Sequence, residues 1–304
     1  MDVTFKQTNL SSLSETERLL YRSFILTEAQ EYFNHPRVED SYSLLAEARV
    51  DNQLVGLALA TVLPDPPHAE LKSIYVAEQW RKKGIGKKLF GYLQTMLGQH
   101  AGLMLLFYEI ETPSGQALTR IIRSFGWHQP SPHLLRLDFD ARAFDISWLE
   151  NLPPLSTEFK IVPWKKRSVK DEWKIEYLGD QGRYTPSISP KNNAALIHAP
   201  TSFVLHHGDE LISWCITHRL DEDTLRFGSF FSDQFYRGRG YGVYLLAQSF
   251  RAIKELGFKR VTFDINLREL ERSWGSFVKK RLVPRASSLR KFYLITHTLE
   301  AGHK

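Results

Sequence analysis

One hexapeptide skeleton occurs twice in this chain, at Arg81-Lys82-Lys83-Gly84-Ile85-Gly86 and at Arg237-Gly238-Arg239-Gly240-Tyr241-Gly242, with the shared pattern Arg-x-x-Gly-x-Gly. An apolar, strand-like run precedes each copy, Leu71 to Val76 and Leu225 to Phe231, and a stretch of helical periodicity follows each. Each half must therefore place a strand and a helix on either side of one tight, basic loop. A helix N-terminus leaves its first amides unpaired and carries partial positive charge, so it binds anions. The glycines let the backbone turn sharply and approach a ligand closely, and the flanking Arg and Lys add full charges. This geometry suits a phosphate-bearing cofactor.

The elements around the two loops recur in the same order. Ser14 and Glu17 form a capping-box pattern at the start of a helical region from Leu13 to Tyr32. Tyr42 to Val50 and Leu54 to Leu63 read as a hairpin turning at Asp51-Asn52. Ile85, Leu89, Tyr92, Leu93, Met96 and Leu97 make one stripe of an amphipathic helix after the first loop. A buried-type strand at Leu103 to Ile110, a helix at Gln116 to Ser124 and an alternating strand at Leu134 to Phe139 complete the first half.

The second half repeats this with a helix around Ser168 to Leu178 and strands at Ser202 to His206 and Leu211 to Thr217. Val243, Leu246, Ala247, Phe250 and Ile253 form the helix stripe after the second loop, and strands at Arg260 to Ile265 and Leu289 to Leu299 follow. The period is near 156 residues. At 304 residues the chain suits two domains. Pro153-Pro154 and the loss of periodicity after Asp140 put the boundary near Glu150, dividing the chain into 1–150 and 151–304. Phe144, Ile146, Trp148 and Leu149 are too apolar for a free tether and are expected to pack.

Charge and cysteine usage exclude some classes. A formal charge of +6 is mild and concentrated at Arg81, Lys82, Lys83, Lys87 and Lys88, without the long basic stripe or interleaved aromatics of a nucleic-acid binder. The single cysteine, Cys215, rules out an internal disulfide framework and fits a reducing, cytoplasmic setting; in its apolar strand it reads as a buried small residue. No apolar stretch approaches the ~20 residues of a membrane helix, so no membrane partner is expected. His206-His207 lie on opposite strand faces, and no cluster has metal-ligand spacing. The second loop misses the Rossmann spacing, because its third glycine comes one residue early after the polar linker Ser232 to Tyr236, and a Walker loop is absent. An NAD-type enzyme is therefore a poor fit.

The strand Leu71-Lys72-Ser73-Ile74-Tyr75-Val76, four further residues, Arg81-x-x-Gly84-x-Gly86 and an amphipathic helix together resemble the acetyl-CoA-binding motif of the GNAT N-acetyltransferase superfamily, whose loop is Gln/Arg-x-x-Gly-x-Gly/Ala. Since both halves show it, the whole chain resembles a tandem GNAT protein. The resemblance implies two α/β domains, each with a mixed central sheet flanked by helices, in which the central strand ends at a splay. It further implies acetyl transfer from acetyl-CoA to an amine of a small molecule, peptide or protein. A fused duplication of this kind can supply within one chain the interface that single-domain relatives form by dimerising, a monomeric pseudo-dimer.

Carried over residue by residue, the resemblance gives the pantetheine arm the backbone of Ile74, Tyr75 and Val76, or of Phe230, Phe231 and Ser232 in the second half. The pyrophosphate cradle becomes Arg81, Lys82, Lys83, Gly84, Ile85, Gly86 and Lys87, matched by Arg237, Gly238, Arg239, Gly240, Tyr241, Gly242 and Val243. Asn266 matches a polar position that holds the cofactor arm. A thioester is already activated, so the chain's tasks are positioning, removing a proton from the amine and stabilising the oxyanion. The family's histone-acetylating branch has a Glu eleven residues before the first motif position; here this is Glu70, while the second half has Arg226. Glu70 is the candidate general base, against the alternative of an exposed strand-capping Glu. The family's usual tyrosine acid is missing, with Ile122 and Val278 at the matching places and Tyr108 a weak substitute. The rival reading is a CoA-binding sensor or scaffold that does not transfer.

Overall fold

The computed structural model describes residues 2–26, 29–34, 41–269 and 275–300. They divide into two compact units, one made of Met1–His133 with Lys291–Lys304 and the other of Leu134–Arg290.

Unit 1 holds β1 (Thr4–Asn9), α1 (Glu15–Arg22), α2 (Gln30–Asn34), β2 (Tyr42–Val50), β3 (Gln53–Pro64), β4 (Pro67–Val76), α3 (Ile85–Leu97), β5 (Leu103–Tyr108) and α4 (Pro113–Arg123). Its sheet runs β1-β2-β3-β4-β5 and ends on the last strand of the chain, β12 (Ser288–Thr298). Only the β4–β5 pair is parallel; β12 lies antiparallel to β5, with Tyr293 opposite Tyr108 and Thr298 opposite Leu103. The expected hairpin forms because Asp51 (φ 47°) and Asn52 (φ 64°) both take the left-handed conformation of a tight two-residue turn. The α3 stripe buries Ile85, Leu89, Leu93, Met96 and Leu97 against the sheet, each worth about 1.5–3 kcal/mol when fully buried. On the opposite face, Tyr21, Ile25 and Phe33 pack with Leu45, Leu57 and Leu59. The helical region expected from Leu13 to Tyr32 is broken. The capping box of Ser14 and Glu17 starts α1 as expected, but Ser23 Oγ bonds Leu20 O at 2.7 Å and the Leu26 amide turns to Ser73 Oγ at 3.1 Å, a tertiary contact that ends the run.

Unit 2 holds β6 (Ser131–Asp140), α5 (Ser147–Glu150), β7 (Phe159–Pro163), α6 (Val169–Asp180), β8 (Phe203–His207), β9 (Glu210–Arg219), β10 (Thr224–Ser232), α7 (Tyr241–Glu255) and β11 (Arg260–Asn266). Its strand order is β6-β11-β10-β9-β8-β7, with β10–β11 parallel and the other pairs antiparallel. Leu245, Leu246, Phe250 and Ile253 of α7 fill the core on one face together with Phe144, Ile146 and Leu149. The segment after Asp140 is thus packed, as its apolar residues suggested.

The division differs from the expected 1–150 and 151–304. β6, read as the end of the first half, pairs with β11 from Arg260↔Asp140 to Asn266↔Leu134, and β12, from the end of the second half, pairs with β5. Each half's last strand therefore completes the other half's sheet, and the segment around Glu150 lies inside unit 2. The strands β1 and β7 were not anticipated. Both are short edge strands, and β1 alternates too many polar side chains to stand out by hydrophobicity.

Candidate functional site

In unit 1, β4 pairs with β5 through Ala69↔Met104, Glu70↔Leu105 and Leu71↔Leu106, and no further. On its other side β4 keeps pairing with β3 as far as Val76, with a register shift that leaves Lys72 as the extra residue of a bulge. Beyond the bulge, the β5-facing edge of Ser73 to Val76 has no strand partner among the described residues. Unit 2 repeats the arrangement: β10 pairs with β11 only through Phe227↔Phe263, the extra residue is Gly228, and pairing with β9 continues to Ser232. A strand with one free edge between two diverging neighbours offers amides and carbonyls to an extended ligand.

Each splayed strand leads into its glycine loop, which is pinned in the same way in both units. Arg81 Nε donates to Val76 O at 2.9 Å, and Arg237 Nε donates to Ser232 O at 2.8 Å. Positive φ falls at Lys82 (61°) and Gly84 (78°), matched by Gly238 (74°) and Gly240 (82°). Such alternation turns successive amides toward one concavity, an anion-binding nest. Gly84 and Gly240 are the N-caps of α3 and α7 and, being glycines, bring no side chain to the first helical amides. Around the first loop Arg81, Lys82, Lys83, Lys87 and Lys88 are exposed, and among the described residues no carboxylate lies within 4.0 Å of any of them. The second loop has only Arg237 and Arg239. Splay, nest and unpaired cations are a fit for the arm and phosphates of a coenzyme A, better in unit 1 than in unit 2.

Glu70 lies on the last paired stretch of β4, two residues before the bulge. Its carboxylate contacts Lys72 Nζ, and its Oε1 is 3.5 Å from His68 Nε2. His68 Nδ1 is 2.7 Å from Pro66 O; a carbonyl only accepts, so Nδ1 donates this bond. Lys72 Nζ also sits 4.1 Å from the centre of the Tyr32 ring. His68 and Lys72 went unnoticed in the sequence, although alternation places both on the Glu70 face. In unit 2 the matching Arg226 stands opposite His218, a residue 3% exposed whose ring fills the space beside Gly228. A Cβ on Gly228 would lie 2.1 Å from His218 Nδ1.

The other candidates fall in varied places. Ile122 and Val278 are buried core side chains, so neither matching position has an acid. Tyr108 faces α4, its hydroxyl 3.0 Å from Thr119 Oγ1, and burial pushes its pKa up. Asn266 ends β11, with Oδ1 accepting from the Arg268 amide at 2.9 Å. Cys215 is fully buried, and its thiol is pushed up to about 12 by burial. His206 Nε2 meets Asp171 Oδ1 at 2.7 Å, while His207 Nδ1 meets Tyr236 Oη at 2.9 Å. Among the described residues no cluster of three or more His, Cys, Asp or Glu could hold a metal, and no helix is long and apolar enough to cross a membrane.

Comparison with known proteins places the two repeats. The family model described as Acetyltransferase (GNAT) family matches residues 10–127 and 164–275, together more than half of the chain. No curated protein matches the sequence. Among solved structures, a tandem GNAT protein from the clavulanic acid biosynthesis pathway, without AcCoA, is similar with a TM-score of 0.73 at 12% identity over 100% of both chains. A GCN5-related glucosamine N-acetyltransferase region of a fungal multi-domain GH3 β-N-acetylglucosaminidase gives 0.70 at 14% identity, covering 97% of this chain and 38% of that one. A GCN5-related N-acetyltransferase from Sphaerobacter thermophilus gives 0.61 at 12% identity, covering 99% and 97%. At such identities the likeness is one of fold.

Proposed function

We propose, for a chain that belongs to the GNAT acetyltransferase family, that unit 1 transfers an acetyl group from acetyl-CoA to a primary amine, with Glu70 as general base. The observation that carries this reading is a convergence on one strand: the free edge after Lys72, the cationic loop after Val76 and a carboxylate immediately before the splay all belong to β4 and its continuation. Unit 2 has the free edge and the loop, but Arg226 and the buried His218 stand where the carboxylate would be. It is read as a unit that holds cofactor without transferring.

When bound, acetyl-CoA supplies an acyl group activated as a thioester and a thiol leaving group. The backbone of Ile74, Tyr75 and Val76 holds the arm, and the amides of Lys83 to Gly86, with Arg81, Lys82, Lys83 and Lys87, hold the phosphates. Glu70 takes the proton of the acceptor's ammonium directly or through one water, because only the free amine has a lone pair to attack with. Lys72 orients the carboxylate. Catalysis of this kind comes largely from positioning.

A second reading, a CoA sensor, is favoured by the buried Ile122 and Val278 where an acid toward the departing thiolate is expected. The two are separated by incubating the full chain with acetyl-CoA and a panel of amines, following thiol release alongside thermal stabilisation. Turnover supports the transferase, whereas stabilisation without turnover leaves the sensor. Glu70→Gln is expected to lower kcat by roughly 10²- to 10⁴-fold, most at low pH, and to keep the stabilisation by acetyl-CoA. An unchanged rate would remove Glu70 as the base.

A further inference from the structure

The sheet face opposite α3 in unit 1 has a chemistry that discriminates among amines. Ala69 and Leu71 belong to the core under α3, so Glu70 between them faces the other way. On β5, Met104 and Leu106 are core, which puts Leu105 and Phe107 on the Glu70 face; on β12, core Ile295 puts Phe292, Leu294 and Thr296 there. The register aligns Glu70 with Leu105 and Leu105 with Thr296, and the next row aligns Phe107 with Leu294. Phe107 is 41% exposed. Its ring stacks on Phe292 at 5.1 Å and 12°, with His133 edge-on at 6.1 Å. The Glu70 carboxylate therefore shares one sheet face with this aromatic stack and with Lys72, which lies over the Tyr32 ring.

Glu70 is the only acidic residue in β4, β5 and β12. The acceptor's ammonium gives its proton to Glu70, and a planar body can continue the Phe107–Phe292 stack.

On the reading that unit 1 acetylates amines, we infer that its acceptor is a primary amine with an aromatic body, an arylalkylamine. Phe107 and Phe292 are its specificity-determining contacts. Phe292 comes from the C-terminal end of the chain, so the first repeat's acceptor wall is finished by a strand of the second.

The test uses the full chain, saturating acetyl-CoA and thiol release with 2-phenylethylamine, ethylamine and spermidine as probes. We expect kcat/KM for 2-phenylethylamine to exceed that for either other amine by about tenfold, as a stacked, desolvated ring implies. In Phe107→Ala that preference over ethylamine falls by about fivefold, and Phe107→Tyr restores it, while stabilisation by acetyl-CoA persists in both variants. A preference for spermidine, or an unchanged selectivity ratio in Phe107→Ala, overturns the inference and leaves the acetyltransfer reading standing. Absence of turnover with all three amines and with a lysine peptide removes both.

Discussion

The last glycine of the motif should respond with opposite sign in the two repeats. Gly86 and Gly242 occupy the same position, the second residue of α3 and of α7. A Cβ on Gly86 would meet Ile121 Cδ1 at 3.5 Å and Val76 Cγ2 at 3.7 Å, ordinary contact distances. Gly86→Ala thus adds a methyl in available space and removes chain entropy from the unfolded state, a gain of about 0.5 kcal/mol. A Cβ on Gly242 would lie 2.7 and 2.8 Å from Phe230 Cζ and Cε1 and 3.4 Å from Ser232 Oγ. The Phe230 ring must move, at a cost of about 1 to 3 kcal/mol for overpacking. At about 2–4 °C per kcal/mol for a unit of this size, Gly242→Ala should lower Tm by roughly 2–12 °C while Gly86→Ala leaves it equal or slightly higher. Thermal and urea denaturation of the full chain, with hydrogen exchange of the α7 amides to localise the loss, read this directly. A neutral Gly242→Ala, or a Gly86→Ala as damaging as its counterpart, would refute the reasoning from side-chain space.

Three further outcomes are expected. Neutralising Lys82, Lys83 and Lys87 together should weaken acetyl-CoA binding by roughly tenfold or more at low salt and flatten its salt dependence, whereas Arg239→Gln changes it little; equal effects would contradict the asymmetry of the two loops. For acid stability, burial raises the carboxyls of Glu47 and Asp171, but hydrogen bonds outweigh it and the net shift of both is downward, from Thr8, Arg49 and Tyr21 onto Glu47 and from His206 and Ser168 onto Asp171. A depressed folded-state pKa stabilises the protein above the ordinary carboxylate range and loses that contribution as pH falls through it, so urea midpoints should decline below about pH 4.5. Glu47→Gln should make the decline shallower, and an unchanged slope would argue against Glu47. Cys215, buried and raised to about 12, should resist thiol reagents at pH 8 in the native protein and react on unfolding; rapid native labelling would contradict its burial.

Much of the candidate site could be read from local pattern. Gly84 and Gly240 are where the sequence put them because a left-handed N-cap strongly favours glycine, and the α3 and α7 stripes follow from helical periodicity alone. The capping box at Ser14 and the Asp51-Asn52 turn are equally local. Features built by pairing between distant residues were not legible. The bulge at Lys72 appears only in the register of β4 against β3. His218 beside Gly228 explains why a glycine stands where unit 1 has Lys72, yet nothing in the neighbouring sequence announces it.

The boundary near Glu150 shows the same limit at larger scale. A loss of periodicity marks where regular structure pauses, but it carries no information about which strand a later segment will join. β6 and β12 each have the alternation of a strand in either sheet, and hydrogen bonding along β11 and β5 decided their places. By itself the sequence determined the duplicated strand, loop and helix, and hence the two anion nests, because these rest on contacts within a few residues. Only the tertiary structure decided that Phe292 stacks on Phe107 and that the second strand's splay adjoins Arg226 and His218. Strand pairing is set by cross-strand packing and backbone hydrogen bonds over long loops, and those partners are chosen only once the sheets have formed.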